Sequence, residues 1–142
     1  MKISARNIFP GKITKVQVGA VNSEVDLTTV GGLQIVAIVT NESVKSLGLA
    51  VGRDATALVK ASSVLVMLEG TDVKLSARNC LAGKISKVAE GPISAEVTIS
   101  LPGGAAVQAT ITHEASTELG LKAGMSATAV FKAQSVILAV AK

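Results

Sequence analysis

Ser4-Ala5-Arg6-Asn7 and Ser76-Ala77-Arg78-Asn79 are the same four residues, 72 positions apart. At that offset residues 3–68 lie on 75–140 without a gap, and 28 of the 66 pairs are identical. The overlay holds no other run of four identities, and two of the chain's three arginines fall inside this one. Arginine brings a fixed fork of charged N–H donors, serine a hydroxyl and asparagine an amide. A donor cluster suited to an oxyanion is therefore present twice. The plain alternative is a strand with an exposed arginine. Four consecutive matches, between copies that differ at more than half their positions, favour binding.

The repeat also sets the organisation. A chain of 142 residues would ordinarily be one domain. The overlay divides it instead into a first unit, 1–70, and a second, 71–142, joined through 69–74. Units this small sit near the lower limit of what a single core stabilises. Yet 49% of the residues are hydrophobic and the mean hydropathy is +0.53. Part of that apolar surface is expected to meet another surface, either between the units or between chains.

Read along each copy, the pattern is five strands and one short helix. Alternation marks a first strand at 2–18 and 74–90, where the shared Gly11 and Gly83 suggest a bend or bulge. Second strands follow at 22–28 and 94–100, then glycine-pair turns at Gly31-Gly32 and Gly103-Gly104. Third strands run at 34–40 and 108–112. Thr40-Asn41-Glu42-Ser43 and Thr112-His113-Glu114-Ala115 open a helix of under two turns, which Gly48 and Gly120 close. Fourth strands at 55–60 and 127–132 and fifth strands at 64–68 and 136–140 complete each unit. The expected fold is all-β: two tandem OB-like five-stranded barrels, each with a short helix between strands 3 and 4.

Further stretches join the repeated arginine segment as candidates. On a strand, Ser4 and Arg6 would share one face, with Ala5 small enough to admit backbone amides. Lys60-Ala61-Ser62 and Lys132-Ala133-Gln134 end the fourth strands and supply a second positive charge, since one arginine rarely holds a dianion. The helix starts, with Thr40, Ser43 and Thr112, serve equally well as caps or as an anion seat. His113 aligns with Asn41, so it marks no shared catalytic or metal role. Cys80, the only cysteine, aligns with Ile8 and is expected to be buried; it permits no internal disulfide.

These residues together resemble the Mop domain of molybdate-binding proteins. The resemblance lies in the S-A-R-N opening, Gly11-Lys12-Ile13, the Thr-x-Glu-Ser run before the helix, Leu47-Gly48-Leu49 after it, and Lys60-Ala61-Ser62. Two copies filling the chain are similar to the two-domain cytoplasmic molbindins. The resemblance implies a homotrimer that stores molybdate, with tungstate as analogue, at domain and subunit interfaces and without direct protein–metal bonds. Carried over by position, Ser4, Arg6, Lys60 and Ser62 would bind oxygens, with Ala5, Asn7 and Ala61 adding donors. In the second copy Ser76, Ala77, Arg78, Asn79, Lys132, Ala133 and Gln134 would do the same, and Thr40, Ser43 and Thr112 would complete the shells. Gln134, Ala115 and Val39 depart from the family pattern, so unequal affinities are expected.

The chemistry of the donor set agrees. Molybdate at neutral pH is a dianion with acceptors only, whereas protonated phosphate would need an acceptor (about 1–3 kcal/mol if unmet). The rival function is an OB module binding single-stranded nucleic acid. That use needs stacking aromatics, and Phe9 and Phe131, the only aromatics, are Leu81 and Val59 in the other copy. The net charge of +4 permits an anionic ligand without requiring nucleic acid. With no repeated histidine and no Ser/His/Asp set, an enzyme is not expected. No apolar leader opens the chain and no stretch reaches about 18 apolar residues, so the expectation is a cytoplasmic protein without a membrane partner, neither repressor nor transporter.

Overall fold

The computed structural model describes residues 1–68 and 72–142; Glu69, Gly70 and Thr71, part of the expected joint between the units, lie outside the described residues. The strands are β1 (Asn7–Val18), β2 (Asn22–Thr29), β3 (Gln34–Thr40), β4 (Asp54–Val59), β5 (Leu65–Leu68), β6 (Asn79–Glu90), β7 (Ser94–Ser100), β8 (Ala106–Thr112), β9 (Ser126–Phe131) and β10 (Ile137–Ala139). Helix α1 (Asn41–Leu47) stands between β3 and β4, and α2 (His113–Leu119) between β8 and β9. The all-β expectation, with one short helix per copy, is what the chain adopts.

Each helix begins where a threonine hydroxyl can take an orphan amide. Ser43 N–H donates to Thr40 Oγ1 at 3.1 Å, and Ala115 N–H to Thr112 Oγ1 at 3.0 Å. Gly48 and Gly120, both left-handed, close them. Gly11 and Gly83 answer to a different need from the one expected. The ladder shifts register further along, between Ile13 and Lys15 and between Ile85 and Lys87. At the glycines themselves the next strand passes so close that a Cβ would stand 2.3 Å from the Thr28 carbonyl oxygen, or 2.1 Å from that of Ser100.

The strand order departs from the sequence reading. One sheet runs β10-β4-β1-β2-β3 and the other β5-β9-β6-β7-β8. The fifth strand of each copy therefore completes the other copy's sheet: Ile137 pairs with Leu58, and Leu65 with Val130. Expecting each fifth strand to close its own unit is corrected by this exchange. In both sheets the borrowed strand also approaches the far edge, β10 toward β3 and β5 toward β8, curling the sheet toward closure.

Exchange merges the interiors. Phe9, Ile13, Leu27 and Val59 belong to the same buried cluster as Leu81, Ile85, Ile99 and Phe131. Much of the apolar surplus is thus spent between the two copies. Gly31 and Gly103 occupy equivalent places and meet backbone to backbone. A Cβ on Gly31 would lie 2.6 Å from the Gly103 carbonyl oxygen, and one on Gly103 2.5 Å from that of Gly31. Equivalent residues can touch reciprocally only on a symmetry axis, so an internal two-fold passes between them.

Candidate functional site

The repeated tetrapeptide lies at the mouth of β1 and of β6, mostly ahead of the strand. Ser4 and Arg6 fall in bends, and only Asn7 enters β1. The expected sharing of a strand face by Ser4 and Arg6 is therefore corrected: irregular backbone, not pleating, aims them. Ser4 and Arg6 are exposed, Ala5 half-buried and Asn7 buried; Ser76, Ala77, Arg78 and Asn79 follow the same order.

The two asparagines face inward. Asn7 Nδ2 donates to the Gln108 carbonyl at 2.8 Å, and Gln108 N–H donates to Asn7 Oδ1 at 2.7 Å. Asn79 repeats this on Val36, at 2.8 Å in each direction. Each amide thus imitates a strand residue and pairs with an edge of the other sheet. The amide donation to a ligand expected of Asn7 and Asn79 is not what their side chains do; they stitch the two sheets together. Their neighbours Arg6 and Arg78 are left outside, over the seam.

The antiparallel register brings the lysine turns to the same place. Asn7 pairs with Val59 and Asn79 with Phe131. Each ladder ends on that pair, so Arg6 and Lys60, like Arg78 and Lys132, leave it at the same end. Beyond each lysine the chain makes a 3-10 turn, Ala61–Ser63 or Ala133–Ser135. Such a turn leaves its first N–H groups without an acceptor inside it. Ala61 and Ala133 are buried, 6% and 1% exposed, where their turns pack on the other sheet's edge, β8 and β3. Lys60, Ser62, Lys132 and Gln134 remain exposed.

The helix starts join the opposite copy's residues. Thr40 and Ser43 line a groove of about 400 Å³ together with Gln134 and Val136. First-copy Thr40 and Ser43 thus stand with the second copy's lysine turn, because of the strand exchange. Their hydroxyls are 2.8 Å apart, and Thr40 also caps α1. Thr112 caps α2 in the same way. A larger, mostly apolar groove, about 900 Å³, runs from Pro10 and Lys12 past Val30 to Val140.

The arginines differ in what they touch. Arg6 Nε donates to Gln108 Oε1 at 3.4 Å, a neutral partner. Arg78 Nη1 is 2.8 Å from Glu24 Oε1, an ion pair. Lys15 Nζ lies 3.3 Å from the other Glu24 oxygen. Burial acts to raise the Glu24 carboxyl, but the Lys15 hydrogen bond, neighbouring Asp26 and the charges of Arg78 and Lys15 outweigh it, and Glu24 lies below the ordinary carboxylate range. Burial first, and then the Glu24 carboxylate, pushes Asp26 up. Asp26 Oδ2 accepts from Gln34 Nε2 at 3.1 Å, while its buried Oδ1 has no partner. Neither Glu24 nor Gln108 carries a local sequence signal of lying beside an arginine so distant in the chain.

Cys80 and His113 lie outside the seam. Cys80 is exposed, with Sγ 3.6 Å from the Ala77 carbonyl. It takes the outward face of β6 just as Ile8, 44% exposed, takes that of β1, so the expected burial is corrected. His113 Nδ1 lies 2.9 Å from Glu90 Oε2, at an exposed spot.

The family model described as the TOBE domain matches residues 3–66 and again 75–138. A solved structure of the cytoplasmic molybdate-binding protein ModG, with molybdate bound, is 49% identical. It superposes with a TM-score of 0.95 over 99% of this chain and 100% of that one. The molybdenum transport protein ModE of Azotobacter vinelandii is 44% identical over 140 residues, 99% of this chain and 52% of the relative. The molybdenum-pterin-binding protein MopA of Rhodobacter capsulatus is 40% identical over 139 residues, 98% of this chain and 52% of the relative. The chain thus spans about half the length of these two relatives.

Proposed function

This chain belongs to the TOBE-domain family in its molybdate-binding, Mop-type form, and on that premise we propose that it binds molybdate at its two seams and stores it in the cytoplasm. Arg6 and Lys60 supply the charge at one seam, with Ser4, Ser62 and the amides near Ala5 and Ala61 as further donors. Arg78 and Lys132 do so at the other, with Ser76, the amides near Ala77 and Ala133, and, across the groove, Gln134, Thr40 and Ser43. The observation that carries the reading is that, twice over, the repeated arginine and a lysine turn leave the strand ladder at the same end.

Every group in that set can donate, which suits an oxyanion that carries no proton. Tungstate, of the same shape and charge, is taken as an analogue. The role is binding and release, not catalysis.

Ser4, Arg6, Lys60 and Ser62 lie open on a single chain, and a dianion held only by exposed charges is weakly bound. A second and third copy closing over the seams, as a homotrimer, would supply the missing walls. Val30, fully exposed at the edge of the apolar groove, and Ile93, 83% exposed, give such an assembly apolar contact. Native mass spectrometry with molybdate, sulfate and phosphate in turn tests the proposal. Trimers retaining molybdate are expected; monomers, or equal retention of all three anions, would count against it.

A further inference from the structure

We infer that Glu24 is a positioning residue for the Arg78 seat: its carboxylate holds that guanidinium and makes the seat the weaker of the chain's two. This inference rests on the molybdate reading of the seams.

The contact itself is short and sheltered. Arg78 Nη1 meets Glu24 Oε1 at 2.8 Å, and the Glu24 side chain is only 16% exposed, against 54% for Arg78. Lys15 from β1 approaches the second oxygen at 3.3 Å, and Asp26, on β2 like Glu24, lies beside it. Around Glu24 there are thus two cations, Arg78 and Lys15, and one neighbouring acid, Asp26, which burial biases toward its neutral form. An arriving dianion would meet the Glu24 charge and would have to share Arg78 with it. Among the described residues Glu24 engages Arg78 through Nη1 alone, so the seat is weakened and not shut.

Among the described residues no carboxylate pairs with Arg6. Position 108, the counterpart of Val36, carries a glutamine, and Arg6 rests on its neutral oxygen. Valine offers no side-chain acceptor, so Arg78 extends past position 36 to Glu24 on β2. Thr98 and Ala106 also stand where the first copy has Asp26 and Gln34. The polar network behind Glu24 therefore belongs to one seam alone.

Calorimetric titration of the full-length protein with molybdate, in the wild type and in Glu24→Gln, Glu24→Asp and Glu96→Gln, tests this. The wild type is expected to fill two classes of site. Glu24→Gln keeps an oxygen for Arg78 but removes the charge, and should tighten the weaker class about two- to five-fold, the range of a partly exposed ion pair. Glu24→Asp should restore the wild-type pattern, and Glu96→Gln should leave both classes in place. Uptake that Glu24→Gln leaves unchanged, loosens, or shifts equally in both classes would overturn this inference alone. No uptake by the wild type would overturn the molybdate reading and this inference with it.

Discussion

The two seams are built on one plan and differ in one partner. At both, an asparagine amide closes on the edge of the opposite sheet with a reciprocal pair of hydrogen bonds. At both, an arginine and a lysine follow it outward. The arginine then meets a neutral glutamine at one seam and a buried-side carboxylate at the other. The asparagines bond backbone, which any residue at 36 or 108 presents, so their partners could drift without harm. The arginines bond side chains, and there drift changed the electrostatics. Identity between copies marks what the internal two-fold requires; difference marks where the two sites part company.

The asparagine pairs offer the largest effect. Asn79→Ala deletes two buried hydrogen bonds and strands the Val36 N–H and carbonyl, for a loss of about 3 kcal/mol. Asn7→Ala should cost somewhat less, because its bonds are only partly buried. Urea midpoints at one fixed protein concentration would show this, and equal, negligible losses would break the claim that these amides hold the sheets together.

Next in size are the arginines. Arg6→Ala should weaken molybdate binding at its own seam about thirty-fold, roughly 2 kcal/mol for a charge-assisted donor. Arg78→Ala should lose less, since Glu24 already takes part of its charge. Filter binding with radioactive molybdate would rank the two, and the reverse order would remove the proposed inequality.

On the axis itself, Gly31→Ala pushes a methyl into the Gly103 carbonyl and should cost about 1–2 kcal/mol, with Gly103→Ala at least as costly because its φ is +85°. The smallest effect concerns Asp26, which has no acidic counterpart at Thr98. Its folded-state pKa is raised above 3.8, so the folded chain binds that proton more tightly than the unfolded chain. Stability on this account falls as pH rises from about that value through the raised one. Asp26→Asn should match the wild type in acid and exceed it near neutrality, by on the order of 1 kcal/mol or less. Melting curves across pH would reveal a gap that opens upward; a constant gap would contradict the assignment.

Much of this was legible from the repeat. Turn glycines, threonine caps and alternation placed the described strands and helices, although the first strand of each copy starts only at Asn7 and Asn79, past the Ser-Ala-Arg stretch read as part of it. The exchange of fifth strands was not, for a physical reason. Leu65-Val66-Met67-Leu68 and Ile137-Leu138-Ala139-Val140 are both short and apolar, and β4 and β9 present nearly the same Ala-Thr-Ala edge to either. Pairing preference between copies so alike leaves no trace in residue type. That each arginine and lysine leave their ladder at one end was within reach, because register follows from the strands. At Asn7 residue type is silent, since an identical polar side chain serves a ligand or the protein's own backbone equally well, and only burial distinguishes the two. Cys80 misled: small and apolar, it faces outward because Ile8 does.

Crystals grown with molybdate and measured across the molybdenum absorption edge would test the central claim most directly. Anomalous peaks beside Arg6 and Lys60, and beside Arg78 and Lys132, are the predicted result. Peaks confined to other parts of the surface, with both arginine–lysine pairs bare, would contradict it.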